Sequence, residues 1–274
     1  MTARMLRVGP WTIAFRGLEA ALARALDVRW GPFVEAGSAA SVEVLVGRAA
    51  PGATLAPWTR GERYRMEAVA GPGIPAVRSY GFVLAPAGGA AFALDLDPGG
   101  GEPAERRVEN AARLLVARLA LQAGGFALHG AAVIEDGRAR VLAGPSRAGK
   151  STAVTSLGWP VLGDDFAVLL PSGEGAWAVA ATPFDNSEAI PSSAVMGTWP
   201  LRAVWRLEQG AEGALRPLMA PAAAAMLSAC AAFPWALPDL AEALVAATVR
   251  CASEVECGVL TFARDTDLRA LLSP

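Results

Sequence analysis

The sequence has no run of basic residues and a formal net charge of −2. It therefore lacks the electrostatic footprint of a nucleic-acid binder and the polybasic segment that anionic lipid attracts. Neither nucleic acid nor membrane is expected as a partner. Cysteine is scarce: Cys230, Cys251 and Cys257 are odd in number and show neither C-x-x-C nor zinc spacing, which argues against a disulfide framework or a metal cluster. A reducing cytoplasm is the expected compartment, and the start Met1-Thr2-Ala3-Arg4-Met5-Leu6-Arg7 lacks the apolar block of a secretory signal. The longest uncharged stretch, Pro217 to Pro238, is mostly alanine and is broken by Pro221 and Pro234, so it predicts a helix pair rather than a membrane span.

Lysine is scarcer still. Lys150 stands alone among arginines, inside Gly144-Pro145-Ser146-Arg147-Ala148-Gly149-Lys150-Ser151, a full match to the phosphate-loop pattern G-x-x-x-x-G-K-[ST]. A compact ammonium reaches between phosphates in a way the planar guanidinium does not. The context agrees: Arg138 to Ala143 reads as a strand entering the loop, and Ser151 to Leu157 as a short helix closed by Gly158. Gly144 and Gly149 would let consecutive N–H groups turn inward, and the helix N-terminus adds its positive end. On this reading Lys150 contacts the β- and γ-phosphates, Ser151 offers its hydroxyl to magnesium, and residues 144–152, through Thr152, form the cofactor site. The implied cofactors are ATP and Mg2+.

The chain is 274 residues long with 53% hydrophobic residues, enough for one large or two smaller domains. From Leu6 to Ala91, short strand-like runs (42–46, 63–69, 79–84) alternate with Gly and Pro, and Leu18 to Leu26 reads as a helix. No chemical motif appears there. The breaker segment Asp97 to Pro103 marks the expected junction between an N-terminal α+β region (1–100) of unreadable role and an ATP-binding domain (104–274). After the junction come a helix of about twenty residues, with Val108, Ala111, Ala112, Leu115, Val116 and Leu119 on one face, and then strands 126–135 and 138–143 joined by Asp136-Gly137. A hairpin, not a crossover helix, thus delivers the chain to the loop.

Two features flank the loop. His129, the only histidine, lies in Leu128-His129-Gly130 on the first strand of the hairpin, where an apolar setting fits a satisfied core residue as well as a functional one. Asp164-Asp165 lies between Val161-Leu162 and Phe166 to Leu170; adjacent carboxylates among apolar strand residues are costly to bury without a cation or proton to hold. One could bind metal and the other take a proton from an acceptor hydroxyl. Arg147 is a variable loop position, Arg202 and Arg206 flank a strand, and Trp177, Trp199 and Trp205 read as core.

The order Leu128-His129-Gly130, hairpin, Gly144 to Ser151, short helix, Gly163-Asp164-Asp165 resembles the catalytic domain of bacterial HPr serine kinase/phosphorylase, within the phosphoenolpyruvate carboxykinase-like ATP-binding fold. It is similar in particular to the shorter HPr kinase-related proteins of peptide-modification pathways, including lasso-peptide kinases. The resemblance covers Phe126 to Phe184, and more loosely the strand from Glu254 to Ala263 and its following helix. It implies an α/β (α+β) fold with a mixed sheet, and a kinase acting on a serine hydroxyl of a peptide or protein. Asp165 is the favoured base, Asp164 the metal-side residue and His129 a neighbour of the base; the sequence itself does not separate the two aspartates. Ala181-Thr182-Pro183-Phe184 resembles the family's chain leaving the site.

There are departures from the family pattern. The helix after Lys150 is shorter than in the bifunctional enzymes and their glycine-rich signature is missing, so phosphorylase activity is not expected and HPr itself is a weak substrate candidate. Another ATP-using enzyme of the same fold acting on a small molecule, or a silent nucleotide-binding module, are the alternatives. A homo-oligomer stays open.

Overall fold

The computed structural model describes residues 2–37, 39–57, 64–184 and 195–272. The chain forms two compact units, Met1–Val116 with Phe233–Ala241, and Ala117–Ala232 with Glu242–Pro274. The class is mixed α/β, with two mixed sheets.

The first unit holds strands β1 (Thr2–Val8) and β2 (Trp11–Leu18), helix α1 (Ala20–Trp30), and strands β3 (Val34–Glu35), β4 (Val42–Arg48), β5 (Met66–Val69), β6 (Ala76–Ser79), β7 (Phe82–Gly88) and β8 (Ala91–Leu96). They make one sheet in the order β3-β1-β2-β4-β8-β7-β6-β5. The run 79–84, expected as a single strand, is instead a hairpin corner: Gly81 takes φ +79°, a conformation that L side chains rarely adopt. The run 63–69 is a strand only from Met66, and Arg63 lies outside the described residues. The expected helix at 18–26 starts and ends later, at Ala20–Trp30.

Helix α2 (Ala104–Gln122) contains the division between the units. Its N-terminal part places Glu109, 1% exposed, against Arg29, Arg106 and Arg113. The second unit continues with β9 (Phe126–Glu135), β10 (Arg138–Ala143), α3 (Lys150–Leu157), β11 (Val161–Gly163), β12 (Phe166–Gly173), β13 (Ala176–Ala180), β14 (Thr198–Gln209), β15 (Ala214–Pro217), α4 (Ala220–Cys230), α5 (Ala241–Glu254), β16 (Glu256–Phe262) and α6 (Leu268–Leu272). Between α4 and α5 lie only two single-turn 3-10 helices, so the alanine-rich stretch gives one helix where a pair was expected; Pro234 and Pro238 each open a new turn. Among the described residues no helix is long and apolar enough to cross a membrane.

The β9–β10 hairpin forms as its turn chemistry predicts. Asp136 and Gly137 both take positive φ, +47° and +76°, which suits a two-residue turn between twisted strands. Long strands then stitch the sheet together: β10 pairs antiparallel with β9 and parallel with β14, and β16 runs parallel to β14. On one face α3 and α6 pack through Val154, Leu157, Leu268 and Leu272 onto Leu142, Trp205, Leu207 and Leu260. Trp205 is a core residue, as expected.

Candidate functional site

The site grows from the backbone of His129 and Gly130 in the middle of β9. On one side Gly130 is in register with Ala143, the last residue of β10, and the Gly144 N–H donates to the His129 carbonyl at 3.1 Å. On the other side the Gly130 N–H donates to the Asp165 carbonyl at 3.3 Å, and His129 is in register with Phe166. The start of the loop and the aspartate pair therefore sit level with each other across β9.

Asp164-Asp165 is not a turn between neighbouring strands. β11 and β12 both run antiparallel along the same edge of β9, and the two aspartates form a bend between them without a change of register, Gly163 facing Ala132 and Phe166 facing His129. The backbone of the pair lies two strand spacings, about 10 Å, from the loop strand, and side chains close the gap. Lys150 Nζ stands 3.6 Å from Asp165 Oδ1, an ion pair longer than a hydrogen bond. The ammonium also donates to the carbonyls of Gly144 at 3.0 Å and Pro145 at 3.2 Å. Asp164 is buried, 3% exposed, whereas the Asp165 side chain is 17% exposed. The more accessible carboxylate is the one beside the ammonium.

The loop has a defined shape. Gly144 is at φ +156° and Gly149 at +97°, and Arg147 is one of only three non-glycine residues with positive φ among those described. A Cβ on Gly149 would come within 2.7 Å of Phe262 Cζ, so only glycine lets the loop rest on that ring. Ala148 N–H closes a turn onto the Pro145 carbonyl at 3.1 Å. Pro145, Ser146 and Arg147 are exposed, and the Ser151 and Thr152 side chains are exposed on the first turn of α3. Gly158 ends that helix with φ +57° and its N–H on the Val154 carbonyl at 3.1 Å. These features fit an anion: a short cradle, an ammonium at its mouth, and free hydroxyls at a helix N-terminus.

Four residues support the site, Thr182, Phe184, Gln209 and Phe262, and the sequence assigns none of them a role. Thr182 N–H donates to the Leu162 carbonyl at 2.8 Å, and its hydroxyl to the Phe166 carbonyl at 3.0 Å, so it braces the aspartate bend at both ends. Phe184 then packs edge-on against Phe166, with ring centroids 5.5 Å apart. The segment 181–184, which resembles the family's chain leaving the site, also braces it. Gln209 Nε2 donates to the Arg147 carbonyl at 3.0 Å, pinning the loop apex from the end of β14. Phe262 supports the loop from the end of β16. Thr182 and Gln209 carry no spacing signal, because each acts through backbone carbonyls 16 or more residues away in sequence.

Arg206, aligned with Ala143 at the end of the loop strand, pairs with Glu208. Buried Cys230 feels both Arg206 and Lys150: burial pushes its thiol up, and the two positive charges pull the other way.

The family described as SynChlorMet cassette protein ScmC matches residues 107–251, a span that contains His129, the phosphate loop, Asp164-Asp165 and Gln209. No curated protein matches the chain.

Proposed function

The chain belongs to the ScmC family, and we propose that it is an ATP-dependent phosphotransferase that moves the γ-phosphoryl group to a serine or other hydroxyl of a peptide or protein. One observation carries the reading: the single lysine of a complete phosphate loop is 3.6 Å from a partly accessible aspartate held in the bend between β11 and β12. Cation, phosphate cradle and proton acceptor are thereby within reach of one reacting group. The resemblance to HPr serine kinase points the same way.

Residues 144–152 would hold the phosphates, and Ser151 with Asp164 would hold magnesium, which needs few protein ligands when phosphates supply the rest. ATP supplies the phosphoryl group and magnesium neutralises its charge. The protein does the remaining work. Asp165 accepts the hydrogen bond of the acceptor hydroxyl and takes its proton as that oxygen becomes the nucleophile. Lys150 places its positive charge 3.6 Å from the Asp165 carboxylate, between the phosphate cradle and that base. His129, one register position from Asp165 on β9, stands beside that base. Thr182 and the Gly130 N–H fix the bend between β11 and β12 so that the carboxylate does not drift.

The test compares three proteins. Wild type is expected to gain thermal stability with ATP and magnesium and to transfer label from γ-labelled ATP to members of a serine-peptide library. Lys150→Ala should lose the thermal shift. Asp165→Asn should keep the shift but lose transfer by about 100-fold or more. Transfer retained by Asp165→Asn would remove Asp165 as base; a shift with no transfer to any serine peptide would instead favour a silent nucleotide-binding module.

A further inference from the structure

β10 pairs with β9 on one side and with β14 on the other, and the end of β14 follows the phosphate loop step by step. Arg206 is in register with Ala143, the last residue of β10. The Leu207 carbonyl oxygen lies 3.7 Å from the point that a Cβ on Gly144 would occupy. Gln209 then reaches the Arg147 carbonyl at the loop apex. Side chains alternate along a strand. Trp205 and Leu207 join the core beneath α3 and α6, so Arg206 and Glu208 project from the opposite face, where they pair with each other. A third segment meets the loop strand at the same level: Ala231 stands opposite Leu128 and the Ala232 N–H donates to the Ala127 carbonyl at 2.9 Å, so the chain after α4 continues along β9 where β10 stops. Cys230 immediately precedes it. Burial pushes the Cys230 thiol up, and the charges of Arg206 and Lys150 pull the other way, so both cations lie near this one point beside the loop.

We propose that Arg206 is a second phosphate-binding cation of this site, exchanging its ion pair with Glu208 for the phosphates of the nucleotide held in the loop; the inference rests on the phosphate site of the reading above. The pair that is given up is weak. Arg206 and Glu208 stand two residues apart on one strand, their side chains are 40% and 38% exposed, and their bond ties no two elements together. The need for a second cation is also visible. Lys150 divides its charge among the Gly144 and Pro145 carbonyls and Asp165, so one ammonium leaves much of a polyphosphate's charge unmet. A guanidinium suits the remainder, because its planar fork takes two phosphate oxygens at once and so orients the group as well as neutralising it. The placement is complementary: Asp165 lies across β9 from the loop strand and Arg206 lies across the other edge of that strand, on β14. Glu208 then tunes the site, since its carboxylate competes with phosphate for the same guanidinium.

The experiment titrates the full chain with ATP and with inorganic tripolyphosphate, each with magnesium, followed by calorimetry, and records unfolding midpoints without ligand. Arg206→Ala should weaken both ligands by about tenfold or more, because a charge-assisted contact to phosphate is lost. Arg206→Lys should restore only part of that loss, since an ammonium does not span two oxygens. Glu208→Gln removes the competitor and should tighten both ligands by up to about fivefold. Midpoints without ligand are expected to match wild type. Affinities of Arg206→Ala within about twofold of wild type would overturn the proposal. Weaker binding in Glu208→Gln would do the same, making Glu208 a support for Arg206 and not its competitor. A loss confined to ATP would move Arg206 to the nucleoside and overturn its assignment here. If Arg206→Ala lowers the midpoint, the opposite response of Glu208→Gln decides between a phosphate contact and a role in the fold. Binding is read without any acceptor, so failure here leaves Asp165 as base untouched, and failure to transfer to serine peptides leaves Arg206 on the phosphates. Failure of wild type to bind either ligand would remove the phosphate site itself, and this inference with it.

Discussion

At the scale of single residues, charge and burial set what each ionisable group can do. Glu102 is pushed up from its ordinary range by burial, against the hydrogen bond it accepts from Tyr64 Oη at 3.1 Å and the pull of Arg106, Arg107 and Arg113. The folded state therefore binds this proton more tightly than the unfolded chain. Its stabilising effect is present below the unfolded value and is lost as pH rises through the folded one. Glu102→Gln keeps an acceptor for Tyr64 without the charge. Its melting point is expected to gain on wild type as pH climbs out of the carboxylate range and to hold a constant lead above it; a difference independent of pH would contradict the assignment. The three cysteines make a second case. All are buried, and burial drives their thiols upward, Cys257 to about 12. Thiolate is the reactive form, so iodoacetamide should label none of them in the native protein near neutral pH and all of them after denaturation, as read by mass spectrometry.

At the scale of elements, the candidate site depends on strands that align two distant segments on one carrier. β9 holds the loop on one edge and the aspartate bend on the other, and Thr182 locks the bend. Thr182→Val keeps the shape but deletes a buried hydroxyl, leaving the Phe166 carbonyl short of a donor at a cost of about 1–3 kcal/mol. Phosphoryl transfer is expected to fall further than affinity for ATP, because the loop is anchored elsewhere. Equal losses in both would show that Thr182 serves the fold alone. Much of this was legible beforehand. Asp136-Gly137 announced the hairpin, Gly144 to Ser151 the loop, and Gly158 the end of α3. Asp164-Asp165 stands out as a pair in the sequence, yet the bend that carries it is hidden, since an interruption in a strand has no residue signature of its own. Gln209 was invisible for a different reason: a glutamine at a strand end reads as surface until the carbonyl it meets is known. The corner at Tyr80-Gly81 was missed because the aromatic and β-branched residues around it favour strand on both sides.

At the scale of the molecule, each unit relies on buried ion pairs as well as apolar packing. In the second unit Glu135 accepts from Arg140 Nε at 2.6 Å and from Arg202 Nη1 at 3.1 Å, while Arg140 Nη2 reaches the carbonyl of Leu272 at 2.7 Å. The Arg140 and Glu135 side chains are only 3% and 5% exposed. The cluster joins β9, β10, β14 and α6. Glu135→Ala strands a buried guanidinium and is expected to cost about 3–5 kcal/mol in denaturant unfolding; a loss under about 1 kcal/mol would mean that water or another acceptor takes over.

The long reach of β14 and β16 also orders events during synthesis. The hairpin, the phosphate loop, α3 and the aspartate bend all lie between Phe126 and Leu170, so the pairings among them need no later part of the chain. The two props under the loop, Gln209 at its apex and Phe262 beneath Gly149, come from strands made much later. Local pairings form fast, whereas distant ones wait for the chain that completes them. A ribosome making this protein thus releases the loop with its floor still untranslated, and the cradle acquires its final shape only when the last strand has emerged.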